Sequence, residues 1–405
     1  MRFVIEGMGL TAAGVKELAL NLLPKFSDHP EHQFLLVYPD LPEYRALQGG
    51  NVECRLFHKP PSLLRRHWFL QRMVPRICKE FRADALLCMG NFAPSKSPCP
   101  VVVLVHNPLL IYHEPSLQER LTLREKLIVA YGRRACQKLL PRLPVIVQTE
   151  VVRDRLVSLY GFDPKRIAVI PNSCPSLSGR RDIQPRDENG ESRPFTFLSI
   201  SQYYPHKNFE ILCDAMKIVS QRTSRQVRCV MNISPEQHPR ARKLLQRVER
   251  EGLETQVVNL GWIPTRERLE QVYRSADAYI LPSLMETFSF TYLEAMRFGL
   301  PVLTSDRDFA RHRCRDAALY FDPLDVESVA DCMLRVVNDP ELRRKLIINA
   351  EVLVEQVPPW ESVAAQFVAV LEQISSGGSL SREFTERHQS AVLATSDPRQ
   401  LASPK

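Results

Sequence analysis

The sequence predicts an α/β protein of two similar-sized domains, each a parallel sheet with helices on both faces. Three observations carry this. At 405 residues the chain is too long for one ordinary hydrophobic core. Compact apolar runs of strand length alternate with helical segments through both halves, the pattern of strands buried on two faces. A polar stretch from Asn172 to Arg193, "NSCPSLSGRRDIQPRDENGESR", divides the halves and cannot bury much surface.

The elements follow in order. "RFVIEG" is a strand, and "AGVKELALNLLPKF" is a helix with Val15, Leu18, Leu22 and Phe26 on one side. "QFLLVYP", "ADALLCMG", "CPVVVLVH" and "LPVIVQT" are further strands of the first domain, residues 1–172. After the linker, residues 173–194, the alternation resumes over 195–357. There "FTFLSIS", "QVRCVMNIS", "QVVNLGWI", "AYILPS" and "PVLTSD" are strands between helices. "PWESVAAQFVAVLEQI" is a helix over 358–375, expected to pack back on the first domain. The tail, 376–405, is polar and weakly patterned, and is expected to be disordered.

Ten cysteines are scattered with no C-x-x-C and no paired Cys/His spacing. That favours reduced thiols over disulfides or zinc. The N-terminus has neither the apolar stretch nor the cleavage site of a signal peptide, and no run is long enough to span a bilayer. The expected location is the cytoplasm. The net charge of +8 favours anionic partners without choosing among them.

The segment "LPSLMETFSFTYLEAMRFGLPVLTSD" places Glu286 in a loop after a strand and Glu294 inside the following helix. The amides from Phe288 through Ser289 and Phe290 to Thr291 are the unpaired donors of that helix start, at the positive pole of its dipole, and can hold a diphosphate. Glu286 can then face what hangs from the distal phosphate. Glu294 can accept two hydrogen bonds from a ribose diol. Two solvated surface glutamates would show the same spacing.

This segment closely resembles the E-x7-E unit of the retaining glycosyltransferases of family four, which have the GT-B fold. Glu286, Phe288, Glu294, Ala295, Gly299, Pro301, Val302 and Ser305 stand at matching places, and Ser289 replaces the usual turn glycine. Serine is a good helix-start residue. The resemblance implies two Rossmann-like domains facing each other across a cleft, with the second reading a nucleotide sugar. Gly7, Gly9 and Gly14 fall in the loop that, in this family, lies beside the donor's sugar-phosphate end. His106 ends a strand where the family often has a histidine pointing at the donor sugar. Lys207 matches the lysine of a basic phosphate clamp. The clamp's usual arginine is absent: Ser201 and Gln202 stand there, and His206 or an arginine from elsewhere is left to compensate. Gly261 matches a segment whose backbone faces the base, and Trp262 follows it.

The resemblance implies transfer of a hexose from a nucleotide diphosphate sugar to an acceptor hydroxyl with retained configuration. Glu286, His106 and Lys207 would be the catalytic residues, with Glu286 shaping charge at the anomeric carbon rather than attacking it. No cofactor or metal is implied, because a helix start and a lysine can stabilise the leaving diphosphate. The expected acceptor is a glycan or a lipid-linked glycan. Two other readings stay open: a non-catalytic nucleotide-sugar-binding subunit, and a nucleotide-sugar epimerase.

"SLLRRHWFLQRMVPRICKEFR" sets Leu63, Leu70, Met73, Val74, Ile77 and Phe81 on one helical stripe, with Arg65, Arg72, Arg76, Lys79 and Arg82 largely elsewhere. A membrane-surface helix looks like this, and so does a helix packed on its own sheet. The first reading predicts peripheral contact with the inner, anionic face of a membrane. Nucleic acid is not expected, since no reading motif accompanies the charge.

Overall fold

The computed structural model describes residues 1–11, 13–58, 62–175, 193–378 and 380. Most of the predicted linker and nearly all of the predicted tail lie outside these residues. The chain forms two compact α/β units. Unit 1 holds Met1–His113, Arg124–Ser173 and the chain from Pro358, and unit 2 holds Glu114–Leu123 and Cys174–Val357.

Unit 1 carries a seven-stranded parallel sheet in the order β3-β2-β1-β4-β5-β6-β7. The strands are β1 (Arg2–Glu6), β2 (Gln33–Pro39), β3 (Val52–Phe57), β4 (Ala85–Cys88), β5 (Val101–Leu104), β6 (Val145–Val147) and β7 (Ile167–Val169). Phe3 of β1 is in register with Phe34 on one side and Ala85 on the other. The helix Trp360–Ser375 belongs to this unit. Its Trp360, Val363, Phe367, Leu371 and Ile374 recur every three or four residues and are all buried, as a core-facing helical stripe requires. Glu361 pairs with Lys25 at 2.6 Å, and Glu372 with His32 at 3.0 Å.

Unit 2 carries a six-stranded parallel sheet in the order β10-β9-β8-β11-β12-β13. Its strands are β8 (Phe195–Ser199), β9 (Val227–Met231), β10 (Val257–Asn259), β11 (Ala278–Leu281), β12 (Val302–Ser305) and β13 (Ala318–Phe321). Side chains alternate between the faces of a strand. Phe197 and Ile280 therefore enter one core, while Leu198, Tyr279 and Leu281 enter another on the opposite face. Apolar residues of both parities are buried, which is why these strands read as unbroken hydrophobic runs.

Each sheet reverses its direction of growth once. In unit 1 the chain builds outward from β1 to β3, then returns to place β4 on the other side of β1. In unit 2 the same happens between β8 and β11. At such a point the loops leaving two neighbouring strands diverge to opposite faces and open a crevice at the strands' C-terminal ends, where ligands of open α/β sheets bind.

The basic amphipathic segment departs from the single helix its pattern suggests. It forms a helix Leu63–Trp68, a π-helical turn Phe69–Met73 and a helix Val74–Phe81. Pro75 supplies no amide, so the regular hydrogen-bond ladder cannot run through this point. Leu70, Val74, Ile77 and Phe81 are buried in unit 1. Those four side chains of the stripe are spent on the protein's own core. What stays exposed nearby is Leu64 and Trp68, and, on the helix Leu123–Lys138, Leu127 and Tyr131. His67 Nδ1 and the Tyr131 hydroxyl lie 2.7 Å apart and join the two helices. Among the described residues no helix is long and apolar enough to cross a membrane.

Candidate functional site

The crevice of unit 2 is lined by the loops after β8 and β11, and these are tied together directly. The Leu284 amide donates to the His206 carbonyl at 2.8 Å. The Tyr279 hydroxyl donates to the Ile200 carbonyl at 3.2 Å. Between them Lys207 Nζ donates to Glu286 Oε1 at 2.5 Å, and Ser283 Oγ donates to the same oxygen at 2.7 Å. All three side chains are buried. Lys207, expected as a point charge for phosphate alone, is thus engaged with Glu286. An ammonium has three donors, so the pair orients Lys207 without using it up.

Asn208 holds the other end of the β8 loop. It adopts a left-handed backbone, φ +57°, its amide group donates to the Pro323 carbonyl at 2.7 Å, and its Oδ1 accepts from Arg120 at 2.6 Å. Asparagine tolerates this region better than most residues. Ser201 sits at the loop's start, its amide donating to Asn232 Oδ1 at 3.0 Å. Gln202 Oε1 accepts from the Tyr204 hydroxyl at 3.3 Å. His206 is buried and stacked on Tyr204, 5.4 Å between centroids, and its Nδ1 has no partner among the described residues. Burial, then the Lys207 charge beside it, pulls its pKa down to about 3. His206 is therefore a neutral imidazole near neutral pH.

Ser289 differs from its expected role. It precedes the helix Phe290–Arg297, but its hydroxyl caps no helical amide. It lies 3.1 Å from Thr291 Oγ1 instead, and Ser289 has φ +58°, the conformation a glycine would take without strain. Glu294, one turn into the helix, is buried and accepts a hydrogen bond on Oε2 from the Tyr273 hydroxyl at 2.7 Å. Tyr273 is itself fully buried and stacks on Phe298. Phe288 and Phe290 make an edge contact in the turn. Gly261, at φ +65°, follows β10, and Trp262 beside it is 65 % exposed, so Trp262 is a surface residue of unit 2.

The sequence reading missed three residues here. Tyr273 orients Glu294, and Ser283 orients Glu286. The third is Arg313, whose guanidinium lies over the Phe288 ring at 4.3 Å. Its Nε and Nη2 are buried with no acceptor among the described residues. Burial lowers its pKa to about 10, so it remains a cation at neutral pH. Tyr273 and Arg313 sit in helices that carry no motif. Ser283 alone had a signal, as a small polar residue directly after a strand.

His106 lies in unit 1, just after β5. Its Nε2 is 2.9 Å from the Met89 carbonyl and 3.2 Å from Asn91 Nδ2, and burial lowers its pKa to about 4. Gly9 lies in the loop after β1 of the same unit. Among the described residues no group of three His, Cys, Asp or Glu side chains could hold a metal ion.

A doubly wound unit with a buried Lys–Glu pair and a helix start at its switch point defines a two-domain α/β protein of the GT-B fold. The model for glycosyl transferases group 1 matches residues 180–352, and the model for glycosyltransferase family 4 matches residues 13–174. The chain belongs to the group 1 glycosyltransferase family. It is 26 % identical over 247 residues to mannosylfructose-phosphate synthase of Agrobacterium fabrum, covering 56 % of this chain and 52 % of that protein. It is 25 % identical over 239 residues to O-antigen chain mannosyltransferase B of Escherichia coli, covering 55 % and 59 %. The chain spans about half the length of these curated relatives. Among solved structures, sucrose-phosphate synthase from Thermosynechococcus elongatus superposes with a TM-score of 0.71 at 16 % identity, covering 93 % of this chain and 100 % of that one. Anabaena HepE in complex with UDP and glucose gives 0.69 at 19 %, covering 92 % and 99 %.

Three outcomes are expected. Ser289→Gly should raise stability by about 1 kcal/mol by relieving the left-handed serine, read as a higher denaturation midpoint. Lys207→Met should cost about 3–5 kcal/mol, because it leaves Glu286 buried without its partner, and adding Glu286→Gln to it should recover part of that loss. The third concerns pH. His206 has a folded pKa below its unfolded value of about 6.5, so the unfolded chain binds the extra proton. Stability should fall by about 1.4 kcal/mol per pH unit for this group as pH drops from about 6.5 towards 3, and His206→Phe should flatten that limb in urea titrations.

Proposed function

We propose that the protein is a retaining glycosyltransferase that moves a hexose from a nucleotide diphosphate sugar to a hydroxyl of a glycan or lipid-linked glycan. One observation carries the reading: Lys207 and Glu286 are joined and buried at the switch point of unit 2, directly before the helix start that leads to Glu294. The amides from Phe288 to Thr291 and the Lys207 ammonium meet the charge that grows on the diphosphate as the anomeric C–O bond breaks. The acceptor oxygen forms the new bond to that carbon, and its proton passes to the departing phosphate oxygen. Glu286 holds hydroxyls of the donor sugar. Glu294, fixed by Tyr273, holds the ribose. His106 takes part as a neutral imidazole, since its pKa is lowered to about 4. This scheme calls for no metal.

Relatives support the sugar chemistry. Several that match are mannosyltransferases by name, and one solved neighbour is a complex with UDP and glucose. Exposed Leu64, Trp68 and Leu127 beside Arg65 and Lys126 suit an acceptor carried in a membrane. A second reading, a nucleotide-sugar binder without turnover, is favoured by Ser201 and Gln202 in place of the clamp arginine and by a neutral His206.

Titration calorimetry against UDP, GDP, ADP and dTDP without metal tests the assignment. One nucleotide should bind selectively, and Glu294→Ala should weaken it roughly tenfold to a hundredfold. Glu286→Ala should abolish sugar transfer while leaving nucleotide binding within a few fold. Binding of none of the four by the wild type would sink the site assignment. Binding without transfer to any acceptor would favour the second reading.

A further inference from the structure

Unit 1 holds two thiols together at the end of its sheet opposite the strands' C-terminal ends. We propose that Cys78 and Cys99 form a redox couple, in which Cys99 attacks a low-molecular-weight disulfide and Cys78 then closes an intramolecular disulfide with it.

The backbone brings the two cysteines to the N-terminal ends of β4 and β5. Cys78 lies near the end of the helix Val74–Phe81, and its carbonyl accepts from the Ala83 amide at 2.9 Å. Arg82, at φ +52°, turns the chain there, and β4 begins at Ala85. Cys99 stands between Pro98 and Pro100, just ahead of β5, which begins at Val101. The Leu86 amide of β4 donates to the Pro100 carbonyl at 2.9 Å, and Leu86 is in register with Val101. Both cysteines therefore flank the same end of the same pair of strands.

The loop that carries Cys99 is also tied along the helical segment that carries Cys78. Gln71 Nε2 donates to the Ala93 carbonyl at 3.2 Å, and Gln71 Oε1 accepts from the Ser95 amide at 2.8 Å and the Ser95 hydroxyl at 2.7 Å. From Gln71 to Cys78 the helical segment advances by about 10 Å. The chain from Ser95 to Cys99 can span up to about 13 Å. The loop thus runs beside the helix and delivers Cys99 to Cys78.

The two thiols have different environments. Cys78 is buried and Cys99 is only partly so. The Cys78 S–H donates to the Cys99 sulfur, which keeps Cys78 protonated and pulls the Cys99 thiol down to about 7. The Ser97 hydroxyl, 3.7 Å from the Cys99 sulfur, acts in the same direction, while burial and the Asp84 carboxylate oppose it. Cys54, the other cysteine that is not fully buried, is pushed up to about 11 by burial. An accessible thiol that ionises near ambient pH is the best attacking group, so Cys99 is the nucleophile and Cys78 the resolving thiol. Among the described residues no third His, Cys, Asp or Glu joins them to make a metal site.

The chemistry balances with a disulfide such as oxidised glutathione as oxidant. Cys99 loses its proton to solvent and attacks one sulfur of that disulfide. A Cys99–glutathione bond forms, the original S–S bond breaks, and one glutathione leaves as a thiolate. Cys78 then loses its proton and attacks the Cys99 sulfur, and the second glutathione leaves. The protein gives up two electrons and two protons, and one disulfide is reduced to two thiols. The new bond closes a ring of residues 78–99 and braces the loop on its helix.

The test uses the full chain equilibrated in glutathione buffers of increasing oxidised fraction, acid-quenched, alkylated and read by peptide mass. A linked Cys78–Cys99 peptide should appear in the folded protein and vanish on reduction. In the reduced wild type, iodoacetamide at pH 7 should alkylate Cys99 roughly tenfold or more faster than Cys54. Cys78→Ala should stop the reaction at a Cys99–glutathione adduct, and Cys99→Ser should give neither adduct nor link at this pair. Oxidation should raise the denaturation midpoint of the wild type by several degrees and leave that of Cys99→Ser unchanged. The readout is mass, so it stands whether or not the chain transfers sugar or binds nucleotide. The proposal is overturned if fully oxidised buffer gives the folded wild type no Cys78–Cys99 link, or links Cys99 to another cysteine instead. It is overturned equally if Cys99 alkylates no faster than Cys54, the mark of two thiols that serve only as packing.

Discussion

The buried contact between Lys207 and Glu286 is the constraint on which the rest of unit 2 depends. Two charges removed from water cost several kcal/mol each unless they meet in good geometry. The fold supplies that geometry by placing β8 and β11 side by side, so that loops leaving two adjacent strands are within one side chain of each other. Everything else around the pair serves its placement. Ser283 adds a second donor to the same carboxylate oxygen, the Leu284 amide pins the two loops by their backbones, and Asn208 turns the chain with a left-handed residue that itself is bonded at both ends. A charge pair of this kind contributes little net stability; its value is in fixing where a lysine and a glutamate point.

Much of this was legible in the chain. Strands buried on both faces announce themselves as apolar runs, so β1, β2, β4, β5 and β6 and the central strands of unit 2 could be read directly. The E-x7-E spacing placed Glu286 and Glu294 on a loop and a helix, and the structure puts them there. The core-facing stripe of Trp360–Ser375 was equally plain. In each case one dominant pattern, burial on two faces or on one helical side, decided the outcome.

The parts that were not legible have several causes. β3 and β13 lie at sheet edges, and "VECRLF" and "ALYF" are accordingly only half buried, while the edge strand β7 is buried but only three residues long. The roles of Lys207 and Ser289 depend on tertiary partners seventy-nine and two residues away, and only the second is a local matter. Serine before a helix normally caps it; here the turn demands a backbone angle that takes priority over the cap. Tyr273 and Arg313 act through contacts that no spacing rule encodes.

The π-helical turn at Phe69–Met73 has a consequence for where the side chains on either side of it face. A π turn holds one residue more than the α turn it replaces, and one residue advances a helix by about 100°. The core stripe after the turn and the side chains before it are therefore out of phase by that amount. Leu70, Val74 and Ile77 stay in the core, while Arg66 points across the glycine loops instead of joining Arg72 and Arg76 at the solvent. One extra residue, taken up beside Pro75 where the ladder is already interrupted, lets Arg66 lie against Gly9 while Leu70, Val74 and Ile77 stay buried.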